Sequence, residues 1–329
     1  MLESSQIGDA RRQAARLATE SGFNELALGR LALVVTELAT NLVRHAQDGQ
    51  LLIGLRADAA VATIEVISVD RGPGMRDVGR SLSDGVSTGG SAGTGLGAVR
   101  RAAGQFLIFS KPGACSVIVA RLTADSSPLA ETALHDGSLA YAGISVAAPA
   151  ETVSGDAWAC RKDGTRAAMI VADGLGHGPD AAEAADAAMQ VFAMHPGADA
   201  REVVERCHAA LRSTRGAALA SIDIDVAARS VSFCGAGNIA ARLLSGVQDR
   251  SLLSQHGTVG VQIRKIQEVV YELPDHAVLV AHSDGIASRW DLKEVPELLS
   301  CDPIILAAHL IHTKLRGRDD ATVVVMQCH

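Results

Sequence analysis

From Glu25 to Ala46, leucines and valines recur at three- and four-residue spacing, the signature of a helix with one buried face. Leu51–Arg56 and Ala62–Val69 then alternate or run apolar, as sheet strands do. A further helix is predicted over Gly95–Ala103, opening directly out of glycines, and two more strands over Phe106–Ser110 and Ser116–Leu122. With a helix ahead of Glu25, the order is helix, helix, strand, strand, glycine-rich loop, helix, strand, strand. Helices covering one face of a mostly antiparallel sheet make an α/β sandwich.

The pattern changes at Thr123–Ser138, TADSSPLAETALHDGS, which is small, polar and interrupted by Pro128, as a linker is. Beyond it strands dominate: Leu139–Ala147, Ala157–Arg161, Ala167–Ala172, Ala217–Asp225, Ser230–Ala236, Ala240–Leu244, Val269–Leu273, Ala277–His282 and Thr322–Gln327. Helical stretches interrupt them at Asp180–Phe192, at Ala200–Ser213 and after Trp290. The expected fold class is α+β, with an α/β sandwich at residues 1–122, a linker at 123–137 and two packed sheets flanked by helices at 138–329.

Composition narrows the function. With 48% hydrophobic and 20% charged residues, the 329-residue chain is not of the disordered type. A net charge of −7 supplies no basic stripe for nucleic acid, and 3% aromatic residues leave little for base stacking. The six cysteines are scattered with no C-x-x-C pair, which reads as reduced thiols in a cytoplasmic protein rather than zinc or disulfide chemistry. The N-terminus lacks a signal-peptide core and no apolar run reaches about 18 residues, so neither export nor a membrane span is expected.

Three clusters before the linker suit a nucleotide. Glu37 and Asn41, in ELATNLVRHA, lie four residues apart on one helix face. Asp70 ends an apolar strand and is followed by Gly72 and Gly74, in DRGPG; its carboxylate is an acceptor for an adenine amino group, and the glycines permit close approach to the base. GTGLG (Gly93, Thr94, Gly95, Leu96, Gly97) opens a helix whose N–H groups and dipole suit phosphates. Asn41 offers a neutral oxygen to Mg²⁺, and Glu37 a carboxylate to orient or deprotonate a nucleophile. The polar, glycine-rich SLSDGVSTGGSA between the second and third clusters has the composition of a lid. Taken singly, each cluster is also compatible with a turn or a solvated helix position; their order and joint occurrence carry the reading.

After the linker, aspartates beside small residues recur at strand ends: SGD (Asp156), VADGLGHG (Asp173, Gly174), HSDG (Asp284) and GRDDATVVV (Asp319, Asp320). Carboxylates gathered at one end of a sheet sandwich repel one another unless divalent cations neutralise them. Oxygen-only ligands favour Mg²⁺ or Mn²⁺ over zinc. Two such ions about 4 Å apart activate water for in-line attack on a phosphoryl group. Asp-Gly pairs are also ordinary turn formers, and GAGN (Gly235–Asn238) reads equally as a tight turn or as a piece of the site. His177 is a candidate general acid or a strand-to-helix packing residue, while His45 and His282 read as structural.

ELATN, DRGPGMRDV and SDGVSTGGSAGTGLGAVRRAAGQF resemble the GHKL ATPases, above all the RsbT-type bacterial switch kinases, over about residues 8–122. The absence of an upstream histidine-bearing dimerisation segment points away from sensor histidine kinases. The acidic motifs resemble the SpoIIE/RsbU/RsbX branch of metal-dependent protein phosphatases from about Leu139 onward, closest to RsbX in being compact. The first resemblance implies a Bergerat-type ATP site with Glu37 as catalytic base, Asn41 as Mg²⁺ ligand and Asp70 on adenine. The second implies two Mn²⁺ or Mg²⁺ ions held by Asp156, by Asp173 as bridge, by the Gly174 carbonyl, Asp284 and Asp319, with Asp319 and Asp320 open to exchange of roles. No arginine matches the phosphate clamp of eukaryotic relatives. Together they imply a phosphorylation switch acting on a STAS-domain phosphoprotein or anti-sigma antagonist, with a sensor phosphatase or stressosome scaffold as a further partner and no role for nucleic acid or membrane. The alternative is a phosphatase whose first domain is a non-catalytic nucleotide-binding adaptor.

Overall fold

The computed structural model describes residues 3, 5–56, 61–82, 95–127 and 139–328. The chain forms two compact units, Met1–Glu131 with Leu292–His312, and Thr132–Asp291 with Thr313–His329. The expected boundaries 1–122 and 138–329 are contiguous in sequence; by packing, Leu292–His312 lies with the first unit.

In the first unit, α1 (Ser5–Glu20) and α2 (Glu25–His45) precede β1 (Gln50–Leu55) and β2 (Thr63–Asp70). A short α3 (Val78–Ser81), α4 (Gly95–Ala102), β3 (Gln105–Lys111) and β4 (Cys115–Thr123) follow. The sheet is antiparallel in the order β1-β2-β4-β3. The Asn24 side chain caps α2 by accepting from the Ala27 N–H, and Arg44 and His45 stand in its last turn, where the helix dipole favours positive charge. Leu31, Val34, Val35 and Leu38 of α2 pack with Ile64, Val66, Ile118 and Ala120 of the sheet and with Leu96 and Val99 of α4.

By length and mean hydropathy (1.5), α2 alone among the described helices could cross a membrane, which qualifies the sequence reading. Here it is a core helix, with its apolar stripe buried against the sheet. Across the sheet, buried Arg121 of β4 donates to Glu65 of β2 (2.5 Å) and to Gln105 of β3 (2.6 Å), so the charge is paired where it enters the fold.

The second unit is a sandwich. Its strands begin with β5 (Leu139–Val146), β6 (Asp156–Asp163) and β7 (Arg166–Gly174), before helices α5 (Pro179–Met194) and α6 (Ala200–Ala210). Then come β8 (Ala217–Asp225), β9 (Ser230–Ala236), β10 (Ala240–Leu244), β11 (Asp249–Leu252), β12 (Gly257–Thr258) and β13 (Gln262–Ile263). β14 (Glu268–Glu272), β15 (Val278–His282) and β16 (Ala321–Cys328) complete its strands; α7 (Pro303–Lys314), between β15 and β16 in sequence, belongs up to His312 to the first unit. One sheet runs β11-β10-β15-β16-β5, the other β14-β9-β8-β7-β6, and β12 pairs with β13.

Met169, Val171, Ile222 and Phe233 of one sheet meet Leu243, Leu279, Val324 and Met326 of the other. Side chains alternate across each strand, so Ile170, Ala172 and Leu219 face the opposite way, under Ala184, Ala188, Val203 and Val204 of α5 and α6. Small residues on α5 let that helix approach the sheet closely.

Candidate active sites

In the first unit, Glu37 and Asn41 lie half-buried on α2, one turn apart, and Asp70 is the last residue of β2. The Gly72 N–H donates to Asp70 Oδ1 at 2.6 Å, and the Arg71 N–H to the Gln47 carbonyl at 2.9 Å. A Cβ at Gly72 would stand 3.0 Å from the His45 carbonyl, so this turn closes on the end of the helix that bears Glu37 and Asn41. Burial pushes the Asp70 carboxyl above its usual range, and the Gly72 N–H partly offsets this. Gly95, Leu96 and Gly97 form the first turn of α4. Leu96 points into the core, so its contact with a nucleotide would be through the backbone. Gly93, Thr94 and the expected lid from residue 83 onward lie outside the described residues. Gly74, at φ +67, lies where a Cβ would meet the Lys111 carbonyl at 2.4 Å.

The second unit gathers five aspartates. Asp156 and Asp173 are directly paired across β6 and β7. Asp284 follows β15, and Asp319 and Asp320 precede β16, the neighbouring strand. The glycines in these motifs serve close approach more than turning. A Cβ on Gly174 would stand 2.1 Å from the Ala181 carbonyl of α5, and one on Gly285 would stand 1.9 Å from the Asp320 carbonyl. Only glycine lets the Asp284 turn and the Asp319–Asp320 turn meet.

Hydrogen bonds position the carboxylates. Ser283 Oγ donates to Asp156 Oδ2 at 2.6 Å and accepts from the Thr322 N–H at 2.9 Å. Asn238, from GAGN, donates to Asp284 Oδ2 at 2.6 Å. Asp319 accepts from the Asp320 N–H, and Asp320 Oδ1 accepts from the Ala148 N–H at 2.8 Å. Asp156 Oδ1 and Asp320 Oδ2 are buried without a partner. Burial, followed by repulsion from Asp156, Asp284, Asp319 and Asp320, pushes Asp173 up to about 8. Burial likewise raises Asp156 to about 7, against the Ser283 and Thr322 hydrogen bonds.

Among the described residues no three acidic, histidine or cysteine side chains stand close enough to cage an ion as they are. The mutual repulsion acts over longer distances than coordination does. A cation is what would draw these groups together, and the orphaned buried oxygens of Asp156 and Asp320 fit a divalent ion with oxygen ligands. Asp320, not Asp319, carries one of those orphaned oxygens, while Asp319 is half-exposed.

Sequence reasoning passed over Ser283 and left Asn238 unassigned, although both lie inside or beside motifs it had singled out. His282 is a packing residue: it is buried, its Nδ1 lies 2.8 Å from the Ser283 carbonyl, and its Nε2 accepts from Trp290 at 3.3 Å. His177 is exposed at the edge of the cluster, with Nδ1 2.7 Å from Glu151 Oε1.

Residues 163–329 match the profile of the family described as stage II sporulation protein E, half of the chain and three of the four acidic motifs. The chain belongs to the SpoIIE family. Residues 2–120 match the histidine kinase-like ATPase domain. The serine/threonine-protein kinase RsbT of Bacillus subtilis is 35% identical over 104 residues, 32% of this chain and 78% of RsbT. The phosphoserine phosphatase RsbX of the same organism is 29% identical over 89 residues, 27% of this chain and 45% of RsbX, so that match spans less than half of RsbX.

A solved structure described under the words "the bacterial stressosome: a modular system that has been adapted to control secondary messenger signaling" covers 58% of the chain at 26% identity and TM-score 0.53, over 100% of its own length. RsbX in complex with magnesium covers 59% at 21% identity and TM-score 0.53, over 98% of its own length, and shows the shared fold. The chain is thus a fusion of an RsbT-like kinase-type domain with a SpoIIE-type phosphatase domain, and the expected GHKL-like and metal-phosphatase folds are both present.

Proposed function

We propose that this chain is a bifunctional phosphorylation switch of a partner-switching pathway in the cytoplasm. The first domain transfers the γ-phosphoryl group of ATP to serine or threonine of a STAS-domain partner, and the second removes phosphate from the same or a related partner. The observation that carries the phosphatase half is the acidic cluster with its orphaned, buried oxygens. The 35% identity to an RsbT kinase supports the other half.

In the second domain, Asp156, Asp173, the Gly174 carbonyl, Asp284 and the Asp319–Asp320 pair, whose Asp320 carries a buried unpartnered oxygen, would hold two Mg²⁺ or Mn²⁺ ions. When bound, such ions polarise the phosphoryl oxygens and activate water. Ser283 fixes the Asp156 carboxylate, Asn238 fixes Asp284, Gly174 lets α5 close on the end of β7, and Gly285 lets the Asp284 turn meet the Asp319–Asp320 turn. In the first domain, Asp70 would accept from adenine, the N–H groups at the α4 N-terminus would hold the phosphates, Asn41 would hold Mg²⁺, and Glu37 would orient the attacking hydroxyl.

The phosphatase half is tested by phosphate release from a phosphoserine peptide in Mn²⁺. Asp173→Asn should lower the rate by at least about 10²-fold, because a neutral amide cannot bridge two cations. Activity within a few-fold of wild type would remove the metal assignment.

A further inference from the structure

The loop that leaves β7 after Gly174 lies beside an arginine, Arg215 from the turn before β8, that the family motifs do not mark. The Leu175 N–H donates to the Gly216 carbonyl at 3.0 Å, which holds the loop against the start of β8. Arg215, the residue before, therefore stands over the loop: a Cβ on Gly176 would be 3.2 Å from its Nη1. Gly176 leaves open the space that the guanidinium uses.

The guanidinium pairs with Asp180 of α5, and both side chains are exposed, at 52% and 62%. An ion pair this exposed is weak and exchanges readily with a competing carboxylate. Two exposed aliphatic side chains lie on the neighbouring chain: Leu175 on the loop itself, and Val261, which reaches within 2.8 Å of where a Cβ on Gly216, next to Arg215, would be. A guanidinium fork with exposed aliphatic residues on the adjoining segments suits a peptide with an acidic side chain.

We propose that Arg215 forms a carboxylate-binding subsite at the rim of the aspartate cluster. Asp180 is its resident occupant, displaced by an acidic residue that flanks the phosphoserine or phosphothreonine of the substrate. Arg215 lies beside Gly176, three residues beyond Asp173, so it selects the flanking sequence and leaves the scissile phosphate to the cluster. This inference rests on the phosphatase reading above.

The test compares three substrates in Mn²⁺: a phosphoserine peptide with two flanking aspartates, the same peptide with asparagines in their place, and p-nitrophenyl phosphate. Arg215→Ala should raise KM for the acidic peptide about 3- to 10-fold with kcat unchanged, and alter the other two less than about 2-fold. Arg215→Lys should restore part of the loss, as a point charge without the fork. Asp180→Asn removes the internal competitor and should lower KM for the acidic peptide about 2- to 3-fold. If Asp180→Asn instead weakens the acidic peptide as Arg215→Ala does, or if Arg215→Ala impairs all three substrates alike, the pair is a structural staple and the subsite is wrong. Wild type inactive on all three would overturn the phosphatase reading and the subsite with it; a wild type active on all three and lost in Asp173→Asn leaves the outcome to the Arg215 and Asp180 variants alone.

Discussion

Ser283 Oγ lies 2.6 Å from Asp156 Oδ2, and this one bond joins two motifs 127 residues apart. The hydroxyl also receives the Thr322 N–H, so it ties β16 to the carboxylate. Ser283→Ala would leave both a buried carboxylate oxygen and a buried N–H without partners. Stability should fall by about 1–3 kcal/mol and Mn²⁺ affinity by about 10- to 100-fold. Urea unfolding and calorimetric Mn²⁺ titration check both; unchanged Mn²⁺ affinity would separate Ser283 from the metal site.

The raised carboxyls of Asp156 and Asp173 make the metal-free protein pH-sensitive. A carboxyl lifted in the folded state favours folding while protonated; that contribution is complete below its ordinary value near 4 and is lost as pH rises through about 7 and 8. In chelator, Asp173→Asn should therefore match wild type near pH 4 and exceed it at pH 9 by on the order of 2–5 kcal/mol. Urea unfolding at the two pH values measures the difference. A difference that does not grow with pH would contradict the repulsive cluster.

Gly95 separates packing from nucleotide binding, because a Cβ there meets nothing within 4 Å among the described residues. Gly95→Ala should leave the melting temperature unchanged or slightly raised, alanine being the better helix former. Mg·ATP affinity should nevertheless fall by about 10-fold, since the methyl group blocks close approach of phosphate to the helix N-terminus. Calorimetric titration with Mg·ATP decides; full affinity would remove Gly95 from the phosphate cradle.

Glu65 is the partner of a guanidinium that is 1% exposed. Glu65→Ala should cost about 3–5 kcal/mol, because the Arg121 charge is left buried with only Gln105 beside it. Chemical unfolding measures it, and a loss below about 1 kcal/mol would mean that Arg121 finds water.

Much of this was legible along the chain. The strands from Leu139 to Gln327 fall where the apolar runs predict, because a sandwich core makes each buried strand apolar or alternating. The short β11, β12 and β13 were missed: two-residue strands carry no period, and Asp249–Leu252 is mostly polar. The acidic motifs could be read, but their glycines looked like turns. That Gly174 and Gly285 admit a neighbouring backbone is a tertiary fact with no local signal. The same holds for Asn238, which reaches Asp284 from 46 residues away, and for Arg215, which lies 42 residues beyond Asp173. The packing of Leu292–His312 with the first unit likewise has no local signal, since a mostly apolar helix such as α7 states only that it is buried.

Opposed activities on one chain are tested most directly by following labelled phosphate on one partner. Wild type, Asp173→Asn, and Asp173→Asn combined with Glu37→Gln are each given labelled Mg·ATP, Mn²⁺ and a STAS-domain protein from the same organism. The account predicts label on serine or threonine that accumulates with Asp173→Asn, turns over to free phosphate with wild type, and falls by about 10²–10⁴-fold in rate with the double variant. Tight ATP binding by Asp173→Asn with no transfer to the partner would contradict it and leave the first domain as a nucleotide-dependent adaptor.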